Sequence, residues 1–506
     1  MAAPAARSTA GRHPPLRPSI RWPGRQPGRS QTRPETADRF VLILLALVAL
    51  KLANAHFLTT VVPGEPGVLF GNALQFLSFL VFAALIALSC RTRLPESVRR
   101  LRLGRGAALA PVVLVLVAAA VATSIVRELP TDSLQIDDAN AMAVCGAQAI
   151  SAGRDPYHDR EINCLQHLGL STTLATPLRK GPLAAVPGYP TPAQIEAAVQ
   201  TAIRHGGTQT LFSGLAKPPL DPVAMLPVAH SSTQVRAFWT LAGVVVFLVL
   251  LGLAAGQLWA AALLAFVATY YIPGSALTFA SFGNAESFAY LLMALSVLWI
   301  RRPVVSGIAL GLAIGSNELA LFFFPAYLLL CLPLTGWVRR LLALGMTLAV
   351  AVVPLLIRYP DAVSTIWHNL AAPTFPLGYG PVLLVLEGVI KPPPPDLFLG
   401  LTAAAMALIL IWGWRRPPWR ISAGVLMLAG FWLSWRSLDE YMAQVPLLAV
   451  VAIVALLARP GAVSWLRQID DDGSPPPGAE RTVPSPGAGT TDHPPTQSPA
   501  GPGPTT

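Results

Sequence analysis

Apolar residues in this chain come in long unbroken runs, not in the two-residue alternation of a half-buried strand or the single stripe of a soluble amphipathic helix. "FVLILLALVALKLANAHFLTTVV" (Phe40 to Val62) is one such run, and it reaches the roughly 20 residues that cross a bilayer as a helix. Read this way, the pattern predicts spans at 40–62, 68–90, 106–127, 236–256, 258–273, 283–300, 303–316, 319–335, 341–357, 397–414, 421–435 and 442–458. "GPVLLVLEGVI" (Gly380 to Ile390) is too short to span and reads as re-entrant or interfacial. The expected fold is all-α, a polytopic transmembrane helical bundle of about 11 to 13 spans. A large external loop with short helices interrupts it.

The polar segments order the bundle. Residues 1–38 form a basic N-terminus with little to bury, expected to be disordered, and 39–127 carry three N-terminal transmembrane helices. Residues 128–235 form the extracytoplasmic loop, 236–459 the main helix bundle, and 460–506 a Pro/Gly-rich tail also expected to be disordered. With the N-terminus in the cytoplasm, "RTRLPESVRRLRLGR" (91–105), Arg301-Arg302, Arg339-Arg340 and "RRPPWR" (415–420) all fall on the cytoplasmic side. That is the positive-inside pattern, and it makes both termini cytoplasmic. The loop 128–235, the 274–282 turn, the Asn317-Glu318 break, the 358–396 segment and "RSLDEY" (436–441) then lie outside.

Composition agrees with the pattern: 53% of residues are hydrophobic and only 12% charged. The net charge of +11 would suit nucleic acid, but the arginines cluster in the first 39 residues and in short segments between apolar runs, where they fix topology. Nucleic acid is therefore excluded as a partner; the membrane is the expected one. Cys145 and Cys164 fall on the outer segment, where a disulfide could persist, or else serve as small apolar fillers like Cys90 and Cys331.

The chemistry-bearing residues gather on the outer side. Asp137 and Asp138 open an Ala-rich stretch that predicts a short helix stopped by Gly153. One aspartate suffices as a cap, leaving the other to face a cleft. "GRDPY" (153–157) brings Asp155 and Tyr157 in a turn, and "AKPPLD" (216–221) brings Lys217 just before a span. Asn284 and Glu286 start another span, Asn317 and Glu318 separate two short apolar runs, and Arg436 and Tyr441 flank the last span. A carboxylate at membrane depth is costly unless it faces protein or water, which makes each acid a site candidate or an interfacial helix end. His368 is a lone imidazole. No Cys/His spacing fits zinc, and no phosphate-cradling glycine loop is present. No metal site or cofactor is expected; a divalent cation is left open.

The order of these features is similar to that of the GT-C superfamily of polytopic membrane glycosyltransferases, especially actinobacterial polyprenyl-phosphate-mannose-dependent mannosyltransferases. The resemblance rests on the acid opening the outer segment, the Gly-x-Asp-Pro-Tyr turn, the "PPL" element (218–220), Gly283-Asn284 and "SGIALGLAIGSNELALFFFP" (306–325). It runs across roughly 130–335. It departs from the usual pattern at Lys217, where an aromatic is common, at Asn284 in place of Gln, and at Asn317-Glu318 in place of Lys. The resemblance implies transfer of a sugar, possibly mannose, from a polyprenyl-phosphate donor to a lipid or glycan acceptor on the extracytoplasmic face of a bacterial plasma membrane. Asp137 or Asp138 would be the general base, with Lys217 or Arg236 beside the departing phosphate. Asp155, Tyr157, Asn284, Glu286, Asn317, Glu318, His368, Arg436 and Tyr441 would line the substrate site. A lipid or solute transporter and a non-catalytic membrane subunit are the alternatives.

Overall fold

The computed structural model describes residues 33–60, 67–90, 95–97, 109–128, 138–158, 161–172, 185–204, 217–230, 258–270, 285–332, 334–371, 377–378, 380–416, 420–437 and 439–457, with scattered positions between them. The described chain is helical. In order the helices are α1 (Arg33–Thr60), α2 (Val68–Ser89), α3 (Leu109–Glu128), α4 (Asp138–Ser151), α5 (Glu161–His167), α6 (Pro192–Arg204), α7 (Leu220–Met225), α8 (Leu258–Tyr270) and α9 (Ala285–Leu298). They continue with α10 (Pro303–Ser316), α11 (Leu319–Cys331), α12 (Trp337–Ala351), α13 (Val353–Arg358), α14 (Asp361–Ala371), α15 (Val382–Leu386), α16 (Pro395–Arg415), α17 (Arg420–Leu426) and α18 (Asp439–Leu457). A 3-10 helix follows α17 at Met427–Leu433, and the two-residue strands β1 (Leu377–Gly378) and β2 (Arg436–Ser437) pair in parallel.

Among the described residues, three helices are long and apolar enough to cross a membrane: Val68–Ser89, Trp337–Arg358 (α12 with α13) and Asp396–Arg415. Shorter apolar helices, among them Pro303–Ser316 and Leu319–Cys331, pack with them. The break that the sequence places at Asn317-Glu318 is present, because Asn317 leaves the helix at φ −152° and ψ 134° between α10 and α11; the predicted span at 236–256 lies largely outside the described residues.

A single core joins α1, α2, α8 to α12, α17 and α18. Helix α18 lies inside it, buried from Val445 to Ala455 on every side, which is what a helix hydrophobic all round requires. Helices α12, α13 and α16 show the reverse, with Leu342, Met346, Val350, Ile357, Leu408 and Ile411 uncovered. So much contiguous exposed apolar surface is what a lipid-facing wall presents.

Helices α10 and α12 lie side by side and run in the same direction. A Cβ added at Gly307 would meet Arg340 and Ala343, one at Gly311 would meet Thr347, and one at Gly315 would meet Val352 and Leu220. The four-residue glycine spacing of "SGIALGLAIGS" thus forms a seam along which two backbones approach closely, the small-residue packing used between helices in lipid. The parallel arrangement puts both helix N-termini at one end of the bundle and both C-termini at the other.

A helical lobe built from α4 to α7 sits at the C-terminal end of that pair. Its core of Ala141, Ile162, Leu165, Leu170, Leu183, Ile195 and Val199 is separate from the bundle core. Cys145 and Cys164 form a disulfide between α4 and α5. Gly153, at φ 72°, closes α4, with its N–H on Ile150 O at 2.9 Å and that of Arg154 on Ala149 O at 2.9 Å. Thr191 and Gln194 cap α6 reciprocally: Thr191 N donates to Gln194 Oε1 (2.8 Å) and Gln194 N to Thr191 Oγ1 (3.4 Å). Burial raises the Tyr189 phenol above its ordinary value, keeping it the donor to Leu170 O at 2.6 Å.

Candidate functional site at the junction of lobe and bundle

The residues that the sequence singles out along 153–221 and at 317–318 meet where the lobe rests on the C-terminal ends of α10 and α12. Proline fixes this seat. Pro218 and Pro219 deny the backbone a straight helix, and α7 starts at Leu220, whose side chain lies where a Cβ on Gly315 would be. From the other side, a Cβ on Gly146 of α4 would touch Leu215 and Pro222 at 3.1 Å and Pro156 at 3.6 Å. The chain carrying the "PPL" element is therefore held between two glycines, with Leu215 and Pro222 on Gly146 of the lobe and Leu220 on Gly315 of the bundle.

Tyr157 anchors the turn. Asp155 Oδ1 accepts the Tyr157 N–H at 2.9 Å, the Asx-turn that Asp-Pro sequences favour. The Tyr157 ring is buried with Leu215, Ala362 and Tyr359, and its hydroxyl donates to Lys217 O at 2.9 Å. That bond fixes the Lys217 backbone. Lys217 Nζ then lies 3.8 Å from Glu318 Oε1, with both side chains 9% exposed. An ammonium and a carboxylate withdrawn this far from water persist because each offsets the other's desolvation. Asn317 is fully buried: its Oδ1 accepts Leu319 N–H at 2.9 Å, starting α11, while its Nδ2 meets no acceptor among the described residues.

A second cluster stands at the edge of this junction. His158 Nδ1 lies 3.2 Å from Asp155 Oδ2, and His158 Nε2 lies 3.2 Å from Asp361 Oδ2. The ligand atoms of these three residues all fall within 4.8 Å of one another, the geometry that could hold a metal ion. In this arrangement the imidazole already bridges the two carboxylates, tying the 153–158 turn to the start of α14.

Sequence reasoning missed His158, Tyr359 and Asp361. His158 directly follows the Gly-Arg-Asp-Pro-Tyr turn, but Asp361 is remote in sequence and only the fold brings it there. The candidates do not all converge. Asp138 heads α4, partly buried, while Asp155 follows the Gly153 stop, where the chain folds back so that Pro156 packs beside Gly146 in the middle of the helix. Arg436 enters by its backbone, paired with Leu377 in the short parallel bridge. Asp137, Arg236 and Asn284 lie outside the described residues, as do the side chains of Glu286, His368, Arg436 and Tyr441. Phe288, two positions after Glu286, packs against the α4–α7 cluster of Ala143, Val144 and Met225, so the start of α9 borders the same lobe.

No protein-family model, curated protein or solved structure matches this chain. The site must be read from its own geometry.

Proposed function

We propose that this chain is a polytopic membrane glycosyltransferase of GT-C-like build. It moves a sugar from a polyprenyl-phosphate donor to a lipid or glycan acceptor at the membrane face that carries the α4–α7 lobe. The observation that supports this most is the convergence of three remote stretches, the Asp-Pro-Tyr turn, Lys217-Pro-Pro-Leu and Asn317-Glu318, at one lobe–bundle junction. A donor held by its lipid needs a site where a polar lobe meets the lipid boundary, and this junction supplies one with a cation and an amide donor at hand.

In this reading the acceptor hydroxyl attacks the anomeric carbon while Asp138 or Asp137 takes its proton. The bond from the anomeric carbon to the phosphate oxygen breaks, and polyprenyl phosphate leaves with the electron pair. Lys217 offsets the charge gathering on the phosphate, if it exchanges Glu318 for the incoming anion; Asn317 Nδ2 is a second donor. The chain stands as a multi-pass protein of a bacterial plasma membrane with both termini in the cytoplasm.

The Lys217–Glu318 pair also favours a second reading, a non-catalytic membrane subunit, because the cation is already neutralised from within the chain. Membranes carrying Asp137→Asn, Asp138→Asn or both, supplied with a labelled polyprenyl-phosphate sugar, decide between them. Transfer should fall by at least about 100-fold in one single variant and in the double, with expression unchanged. Wild-type transfer in the double variant removes these aspartates as base, and no transfer by the wild type across donors supports the subunit.

A further inference from the structure

The opposite end of the α10–α12 pair carries an unusual concentration of positive charge. Parallel packing brings two helix N-termini together there, and a Cβ on Gly336, which precedes α12, would sit 3.2 Å from Pro303, the first residue of α10. Each N-terminus presents unsatisfied N–H groups and the positive end of a helix dipole. Neither has a side-chain cap or an acid in its first turn. Arginines stand where acids would be expected: exposed Arg301 and Arg302 before α10, and Arg339 in the first turn of α12.

Beneath them lies Arg340, 1% exposed. Its Nη2 donates to Ile300 O, which aims the guanidinium into the 300–302 turn, and the guanidinium carbon Cζ lies 5.8 Å from the Tyr327 ring centroid in a cation–π contact. Its Nε and Nη1 are buried and meet no acceptor among the described residues. A buried cation with unmet donors, under two helix N-termini and three further arginines, calls for an anion.

We infer that the junction of Ile300–Arg302 with Gly336–Arg340 binds the phosphate-bearing headgroup of an anionic phospholipid. A lipid fits better than free phosphate because of what adjoins the arginines. Val338, Leu342, Met346 and Val350 recur every fourth residue down the uncovered side of α12, rising to 70% exposure at Val350. Trp337 stands at the head of that strip, 59% exposed, where an aromatic ring suits the membrane interface. Acyl chains along the strip place the headgroup on Arg339 and the 301–302 turn. The site lies roughly 20 Å along α10 from Lys217–Glu318. It requires that these helices stand in a bilayer and is independent of sugar transfer.

The full chain in nanodiscs of equimolar phosphatidylglycerol and phosphatidylcholine, examined by native mass spectrometry, tests this. Lipid retained on the wild type should be enriched in phosphatidylglycerol by about 100-fold, falling by about five-fold per arginine removed. The triple variant R301Q/R302Q/R339Q should retain the two lipids equally, and R301K/R302K/R339K should keep most of the enrichment. R415Q/R416Q, which removes charge at the end of α16, should behave as wild type. The site is overturned if the wild type shows no enrichment, if the triple glutamine variant keeps it, or if R415Q/R416Q loses as much. Displacement of the retained phosphatidylglycerol by millimolar inorganic phosphate would assign the pocket to the free ion instead. Should the glutamine variant fail to elute as a single species, the wild-type and R415Q/R416Q measurements still decide.

Discussion

Lys217 and Glu318 show how far a residue's role depends on its partner. Each alone is a charge at a membrane boundary; together, 3.8 Å apart and mostly hidden from water, they hold the lobe to the break between α10 and α11. Lys217→Met leaves Glu318 buried against an apolar chain and should cost about 3 kcal/mol, read as a lower midpoint in thermal unfolding of the detergent-solubilised protein. Lys217→Met with Glu318→Gln removes both charges and should recover most of that loss. Equal destabilisation in the single and double variants would show that the pair does not act as a unit. His158 stands at the other limit. Its side chain is 62% exposed, so His158→Ala should change global stability by no more than about 1 kcal/mol. It should nevertheless speed hydrogen exchange at the start of α14.

At the scale of elements, the α10–α12 seam carries the design. Gly311→Leu pushes a side chain into Thr347, whose Cβ already lies 2.8 Å from the position a Cβ would take. It should destabilise the protein by about 1 to 3 kcal/mol, the cost of overpacking. Gly345 in α12 has nothing within 4 Å of its added Cβ. Gly345→Ala should therefore stabilise slightly, by under about 1 kcal/mol. The same substitution class with opposite sign on one helix pair is a direct readout of which face of α12 is the seam. Segment 380–390 gives a further case: Asn72 brackets Gly380 with two hydrogen bonds, Nδ2 to its carbonyl at 3.0 Å and Oδ1 from its N–H at 2.7 Å. The five-residue α15 that follows is buried and too short to cross.

Taken whole, the molecule is polarised along the α10–α12 axis, with the lobe and its disulfide at one end and the paired arginines at the other. Gln200→Cys, on exposed α6, should react with a membrane-impermeant maleimide added outside intact cells, while Arg302→Cys should react only after the membrane is opened. The reverse labelling would invert the chain and remove the lobe from the extracytoplasmic face. Replacing Cys145 and Cys164 with serine opens a crosslink of sequence separation 19. It should lower the stability of the lobe by about 3 kcal/mol, seen as earlier proteolysis between 138 and 204 while the bundle core resists.

The sequence by itself determined the helical, strongly apolar character of the molecule, with runs long enough to cross a membrane. These follow from local chemistry, because the free energy of a residue in lipid depends mainly on its own side chain. It also determined the Gly153 stop and the Asp155 turn, whose hydrogen bonds span only a few residues. Tertiary structure alone decided the rest. Whether Cys145 meets Cys164, which carboxylate faces Lys217, that His158 finds Asp361, and that α10 and α12 run parallel all depend on where remote segments come to lie. That Asp138 heads α4 and Asp155 follows its Gly153 stop belongs to the local part. Their spacing along the chain is legible in sequence, but what each end packs against is settled by burial and close approach, which no single stretch encodes.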